Sequence, residues 1–278
     1  MKPFSGGLRY RAPMTDAADS VVRLSEPAPR VRLITLNQPR LRNAMTEEMT
    51  AAWTAAVKSI ADDRDVRALV VTGDGTSFCS GADLSWLDRA PQGERTPDRL
   101  RDKMSPFYRA WLAPRDLPFP VIAAVNGPTV GAGVCLALAC DLRFGSPTCM
   151  FKTPFIYLGT HGGMGITSLL PEVVGLPRAR DMLFTGRDVH ADEAADWGLV
   201  SSLHDDVVKY SIDVAARIAT AAPIPTRLTK VGLEQARNGL ASAIHWESLA
   251  QPITMATSDL HEGIAASRAR REASFTGE

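Results

Sequence analysis

Apolar positions along the chain follow two periods. Val31-Arg32-Leu33-Ile34-Thr35-Leu36 alternates in twos and predicts a strand. Val66–Val71 and Val121–Val125 are short continuous apolar runs, the second opened by Pro120, and predict buried strands. Behind Thr46, a candidate N-cap with Glu47 and Glu48 in the first turn, Met49, Trp53, Ala56, Val57 and Ile60 recur at helical spacing. Ala191 to Asp196 predicts a short helix with Gly198 as its cap. From about Ser211 the pattern turns wholly helical, over residues 214–222, 226–238, 241–257 and 260–275.

Two turns stand out against this pattern. After Val125, Asn126-Gly127-Pro128 marks a turn, Gly131-Ala132-Gly133 follows, and an alanine-rich helix then runs without a charge to Asp141. The first N–H groups of such a helix have no intrahelical partner, and with the dipole they suit an anion or a developing oxyanion. Tight strand-to-helix packing explains the glycines equally well. The run Val66–Val71 ends in Gly73-Asp74-Gly75 and leads to Phe78-Cys79-Ser80-Gly81-Ala82-Asp83-Leu84, a second glycine turn that exposes backbone donors around Ala82. Two such turns in one chain can converge on one carbonyl oxygen.

Composition narrows the classes. The chain has 278 residues, 45% of them hydrophobic, enough for one large core with additions. Lys+Arg and Asp+Glu both number 31, which gives no electrostatic case for nucleic acid or an anionic membrane. Cys79, Cys135, Cys140 and Cys149 lack metal-ligand spacing and sit in apolar surroundings, as reduced thiols of a cytoplasmic protein do. No apolar run reaches the roughly 18–20 residues that span a bilayer. Residues 1–28 read as a poorly ordered tail, with a faint likeness to a transit peptide; an extension or an early start is the simpler reading, since Met14 can equally open the chain. The stretch from Leu84 to Pro114 is polar and charged with Trp86, Tyr108 and Trp111 interspersed, and Pro91 to Pro97 reads as a mobile loop.

The motifs Phe78 to Leu84 and Ala123-Ala124-Val125-Asn126-Gly127 through Gly133, with Leu183-Phe184-Thr185-Gly186 and Ala194 to Val200, occur in the order and spacing of the crotonase (enoyl-CoA hydratase/isomerase) superfamily, which the chain resembles from about Val31 to Phe275. The resemblance implies an α/β fold: a crotonase-type spiral of repeated ββα units over residues 29–209, then a helical trimerisation region over 210–278. It implies an oxyanion hole for an acyl-CoA thioester made by the N–H groups of Ala82 and Ala132. Coenzyme A would lie along Arg40, Arg42 and Ala44 and over Gly81, Ala82, Asp83 and Leu84, with Phe275 beside the adenine; solvated loop charges explain either arginine as well. No permanently bound cofactor or metal is implied. The partners implied are the acyl-CoA ligand and further copies of the chain, in a homo-trimer or dimer of trimers.

One departure decides the chemistry. Members that hydrate carry two glutamates, and the matching positions here are Cys135 and Phe155. Water addition needs one group to activate water and another to protonate the α-carbon. Neither thiol nor phenyl replaces that pair, so isomerisation or another enolate-based step is expected in preference to hydration. His161, in the glycine-rich stretch from Gly159 to Gly165, is the one readily titratable side chain there and is either an acid–base group or a structural histidine. Asp83 reads as a turn-stabilising acceptor and Cys135 as a buried thiol. A non-catalytic acyl-CoA carrier or sensor is the alternative to an enzyme, and a ligand-free scaffold is a distant third.

Overall fold

The continuous apolar runs are continuous because both faces of their sheet are covered. A computed structural model describes residues 20–83, 85 and 96–278. The strands are β1 (Val22–Ala28), β2 (Val31–Leu36), β3 (Ala68–Gly73), β4 (Val121–Val125), β5 (Pro128–Val130), β6 (Leu142–Gly145), β7 (Met150–Lys152) and β8 (Val189–His190). The helices are α1 (Glu47–Ala61), α2 (Pro97–Leu112), α3 (Ala132–Ala139), α4 (Ile166–Thr185), α5 (Ala191–Asp196), α6 (Val207–Ala219), α7 (Pro223–Ala236), α8 (Leu240–Met255) and α9 (Ser258–Ala269). The larger sheet has the order β1-β2-β3-β4-β6, antiparallel only between β1 and β2, and a smaller sheet has the order β5-β7-β8. Alternate residues of β3 and β4 serve two cores. Leu69, Val71, Val121, Ala123 and Val125 face the main one with α1 and α3, whereas Ala68, Val70, Ile122 and Ala124 face Val207, Ala215 and Ala219 of α6.

The chain winds through both sheets in repeated steps. β4 in the large sheet continues to β5 in the small one and then to α3; β6 continues to β7 and then α4. β3 makes the same step less completely, since Cys79 bridges Thr129 of β5 before the chain reaches α2. This is the expected spiral of ββα units. Its helices are tied together by aromatic packing: the rings of Trp53 on α1 and Trp111 on α2 stack at 4.8 Å. Trp53 Nε1 donates to the Ala110 carbonyl at 2.8 Å, and Trp111 Nε1 to Thr50 Oγ1 at 3.1 Å. Both indoles are thereby buried with their polar edge satisfied, and α2 is fixed in rotation against the core.

Three expectations change. The tail expected through residue 28 is already sheet from Val22, because Val22 and Leu24 alternate with Arg23 and Ser25 and pair with β2; Pro27 is tolerated there because β1 is an edge. Residues 1–19 of that tail, like Leu84, Trp86 and the loop residues 91–95, lie outside the described residues. The helical region expected from 210 starts inside α6, which begins at Val207 and covers the large sheet, so this helix belongs to the core. The last helix ends at Ala269, where Arg270 turns left-handed (φ 51°), and Phe275 lies beyond it in irregular chain. Among the described residues no helix is long and apolar enough to cross a membrane.

Candidate active site

The C-terminal ends of β3 and β4 meet around two side-chain amides, Asn43 buried and Asn126 half-buried. Asn126 Oδ1 accepts from Gly73 N at 3.1 Å and from Thr72 Oγ1 at 3.3 Å, and its Nδ2 donates to the Gly75 carbonyl at 3.0 Å. Asn43, fully buried in the loop before α1, donates to the carbonyls of Asp74 (2.9 Å) and Ser77 (2.8 Å) and accepts from Gln38 N at 2.9 Å. The strand-end turn and the 38–43 loop are therefore one hydrogen-bonded body. A side chain at Gly127 would collide with the Thr76 carbonyl, which is why the turn after β4 carries glycine.

This body positions the backbone of Ala82. Met45 N donates to the Gly81 carbonyl at 2.8 Å, and the Met45 carbonyl accepts from Asp83 N at 3.4 Å. In such a parallel bridge the residue between, Ala82, turns its own N–H to the side away from Met45. Gly81 (φ 95°) makes that turn possible, and a Cβ there would stand 2.6 Å from the Val130 carbonyl and 3.2 Å from Ala132 N. The two glycine turns are thus side by side. Gly131 (φ 56°), held by its N–H to the Lys152 carbonyl at 2.9 Å, opens α3 so that Ala132 N is its first orphan donor. Neither Ala82 N nor Ala132 N has an acceptor among the described residues. Ala82 also lines one end of a groove of about 860 Å³ between α1 and α2, floored by Leu41, Met45, Ala51, Met104 and Phe107.

One helical turn beyond Ala132 the wall of the site is neutral. Cys135 is buried, its thiol directed at the carbonyls of Gly131 (3.7 Å) and Gly163 (3.6 Å), and burial pushes its pKa up to about 12. The Phe155 ring packs against Gly131 and Gly162. His161 stands in the same glycine-rich turn, but its imidazole is exposed and makes no hydrogen bond among the described residues. Tyr108, on α2, is the group that sequence reasoning missed. Its hydroxyl lies over Gly163, where any side chain would collide with it. Burial first, and then the neighbouring Cys135, raise its pKa, so it is a neutral donor near pH 7. The paired glycines 162 and 163 were the only sequence signal of that close approach.

The other expected residues divide. Arg40 and Arg42 are exposed on the loop tied to the site by Ser80 N to the Arg42 carbonyl (2.9 Å), and neither forms an ion pair among the described residues; Ala44 precedes the Met45 bridge. The Asp83 carboxylate accepts from Ser85 N at 2.9 Å and Ser85 Oγ at 3.0 Å, the turn-stabilising part expected of it. Phe275 is not brought to the site. Arg67, just before β3, donates to the Phe275 carbonyl at 2.9 Å, so Phe275 sits at the opposite end of that strand from Gly81 and Ala82.

Comparison with known proteins places the chain in a family. The family model described as enoyl-CoA hydratase/isomerase matches residues 27–278. A Mycobacterium leprae protein named a probable enoyl-CoA hydratase is 40% identical over 261 residues, covering 91% of this chain and 88% of that one. The 1,2-epoxyphenylacetyl-CoA isomerase of Escherichia coli is 33% identical over 251 residues, covering 89% and 95%. The crystal structure of an enoyl-CoA hydratase from Bacillus anthracis superposes with a TM-score of 0.86 at 29% identity, covering 93% of this chain and 100% of that one. With the matched region starting inside β1 and running to the last residue, the two converging turns and the helices over them lie in one frame, and the chain belongs to the enoyl-CoA hydratase/isomerase family.

Proposed function

We propose that the protein is an acyl-CoA enzyme that holds a thioester carbonyl on the N–H groups of Ala82 and Ala132 and stabilises the enolate formed from it. The observation that carries this reading is the juxtaposition of Gly81 with Ala132 N, in a frame where Met45 turns the Ala82 N–H away from its own bridge. Two preorganised donors beside a helix N-terminus stabilise negative charge as it develops on oxygen. Enolate chemistry of the isomerase kind is favoured over hydration, because Cys135 is committed to two carbonyls and Phe155 is apolar. The likeness to a relative named as an isomerase supports the same preference. His161, in the turn that also carries Gly163, is assigned the proton movement.

Coenzyme A is assigned to the Arg40–Ala44 loop and to Gly81, Asp83 and Leu84. Phe275 reaches that ligand only from a second copy, since within one chain it stands at the far end of β3. Exposed Leu233 on α7 and Leu240, Ile244, Leu249, Ile253 and Met255 on α8 support an assembly of copies, with a trimer or pair of trimers as its form. The four buried free cysteines fit a reducing, cytoplasmic setting. Calorimetry tests the core of the reading: butanoyl-CoA binds more tightly than free CoA, because only the thioester offers the carbonyl. Equal affinities overturn the oxyanion hole. Tight thioester binding with no turnover of any acyl-CoA selects the carrier reading, which the neutral wall at Cys135 and Phe155 favours.

A further inference from the structure

We propose that Tyr108 recognises an oxygen on the β-carbon of the acyl group, so that the site prefers β-oxygenated acyl thioesters to plain ones of the same length. This rests on the carbonyl being held at Ala82 and Ala132. Of the hydrogen-bonding groups beyond Ala132, the Cys135 thiol is committed to the carbonyls of Gly131 and Gly163. Phe155, Gly162 and Gly163 offer no polar side chain. Besides the exposed His161, already assigned the proton movement, the Tyr108 hydroxyl remains, half-buried and without a hydrogen-bond partner among the described residues.

Its position is set from both sides. Trp111 and Trp53 lock α2 against α1, which fixes the turn that carries Tyr108. Gly163 leaves bare backbone under the hydroxyl, and a Cβ there would displace it. Cys135 lies three residues beyond Ala132, about 4.5 Å along a helix axis, and its Sγ is 3.6 Å from the carbonyl of Gly163, the residue under the Tyr108 hydroxyl. The hydroxyl over Gly163 therefore stands on the acyl side of the turn that opens α3, one helical turn from the proposed carbonyl donor. The phenol is held neutral and donates one hydrogen bond. An oxygen at the β-carbon accepts it, whereas a methylene leaves a half-desolvated hydroxyl with nothing to bond.

The test is titration calorimetry of the full chain with acetoacetyl-CoA, 3-hydroxybutanoyl-CoA, butanoyl-CoA and free CoA. The oxygenated thioesters are expected to bind about 3- to 10-fold more tightly than butanoyl-CoA, the worth of one neutral hydrogen bond. Tyr108→Phe brings that ratio to about 1 and leaves butanoyl-CoA affinity within about twofold of the parent. Gly163→Ala, which pushes the ring aside without removing the hydroxyl, lowers the ratio in the same direction. A ratio near 1 in the parent protein, or one that survives Tyr108→Phe, overturns the inference. Butanoyl-CoA binding no tighter than free CoA overturns the carbonyl site itself, so the two failures are told apart.

Discussion

The site has a backbone half and a side-chain half, and they are built differently. The backbone half, Gly81-Ala82 and Gly131-Ala132, hangs on two side-chain amides and glycine close approaches: Asn43 and Asn126 bond six neighbouring groups between them, and Gly133 has no room for a side chain beside the Cys79 carbonyl. Changing any of these disturbs the fold. The side-chain half, Tyr108, Cys135, Phe155 and His161, is attached to that frame but does not hold it up, apart from the packing of buried Cys135 and half-buried Phe155. The second half can therefore be substituted with less disturbance than the first, and the proposed chemistry is tested there.

The largest effect expected separates the halves most cleanly. If His161 moves the proton, His161→Ala lowers turnover by about 100- to 10,000-fold, the range for one general acid or base. Thioester affinity stays within about twofold, because the donors at Ala82 and Ala132 are main-chain groups and the imidazole is exposed. His161→Gln, which cannot titrate, behaves alike. Full activity in both variants makes the histidine structural. In the parent protein, hydration of short 2-enoyl-CoA falls well below ordinary turnover of roughly 1–1000 per second, read as slow loss of the conjugated absorbance.

Asn43→Ala attacks the other half. It takes the side-chain partner from the part-buried Asp74 carbonyl and Gln38 N–H and leaves the Ser77 carbonyl only the longer bond from Asn126. The cost is about 1–3 kcal/mol for each group left unpaired, and in a chain of this size each kcal/mol lowers Tm by about 2–4 °C. The loss of thioester preference over free CoA accompanies the loss of stability. Gly133→Ala comes next, at about 1–3 kcal/mol for forcing a methyl against packed backbone. It moves α3 off the Cys79 strand and separates Ala132 from Ala82. A normal melting curve with normal thioester preference in either variant breaks the claim that the backbone half is a single rigid body.

These two variants also mark what was legible in the sequence. Glycine before a helix and apolar runs between turns are local signals, so β2, β3, β4, α1, α3 and the pair of donor turns could be read directly. The expectation that Cys135 and Phe155 stand where hydratases carry glutamates rests on the family resemblance alone. β1 was hidden because its alternation is short and sits among Pro, Ser and Arg; pairing with β2, a nonlocal contact, makes it a strand. Tyr108 was hidden for the same reason. Its part depends on Gly163, fifty-five positions later, meeting the face of α2 that the stacked tryptophans turn inward. The position of Phe275 likewise follows from Arg67 reaching three carbonyls at the far end of the sheet.

A smaller effect sharpens the account of the neutral wall. Burial raises the Cys135 thiol from 9.0 to about 12. The unfolded chain therefore releases this proton first as pH rises. The stability is whole below about pH 9, falls between there and about pH 12, and the single thiol accounts for about 1 kcal/mol between pH 8 and pH 10. Urea unfolding at those two pH values reads the fall, and Cys135→Ala removes that share while the other buried thiols keep theirs. A pH dependence untouched by the substitution means that Cys135 ionises in the native state and is available as a nucleophile.

The arginines give the smallest effect and the most specific one. Arg40 and Arg42 are exposed and carry no ion pair among the described residues, so their contribution to a phosphate is screened by solvent, at about 0.2–1 kcal/mol each. Arg40→Ala and Arg42→Ala are each expected to weaken binding by up to about fivefold at low salt, and less as ionic strength rises toward 0.15 M and beyond. Arg42 already holds a left-handed φ of 50°, a conformation no easier for alanine, so Arg42→Lys serves as the control that keeps both charge and strain. The nucleotide is common to free CoA and its thioesters. Both must therefore weaken by the same factor, leaving their ratio to the backbone donors alone. A loss confined to the thioester would place the arginine at the acyl end, and equal affinities at low and high salt would remove it from the phosphates.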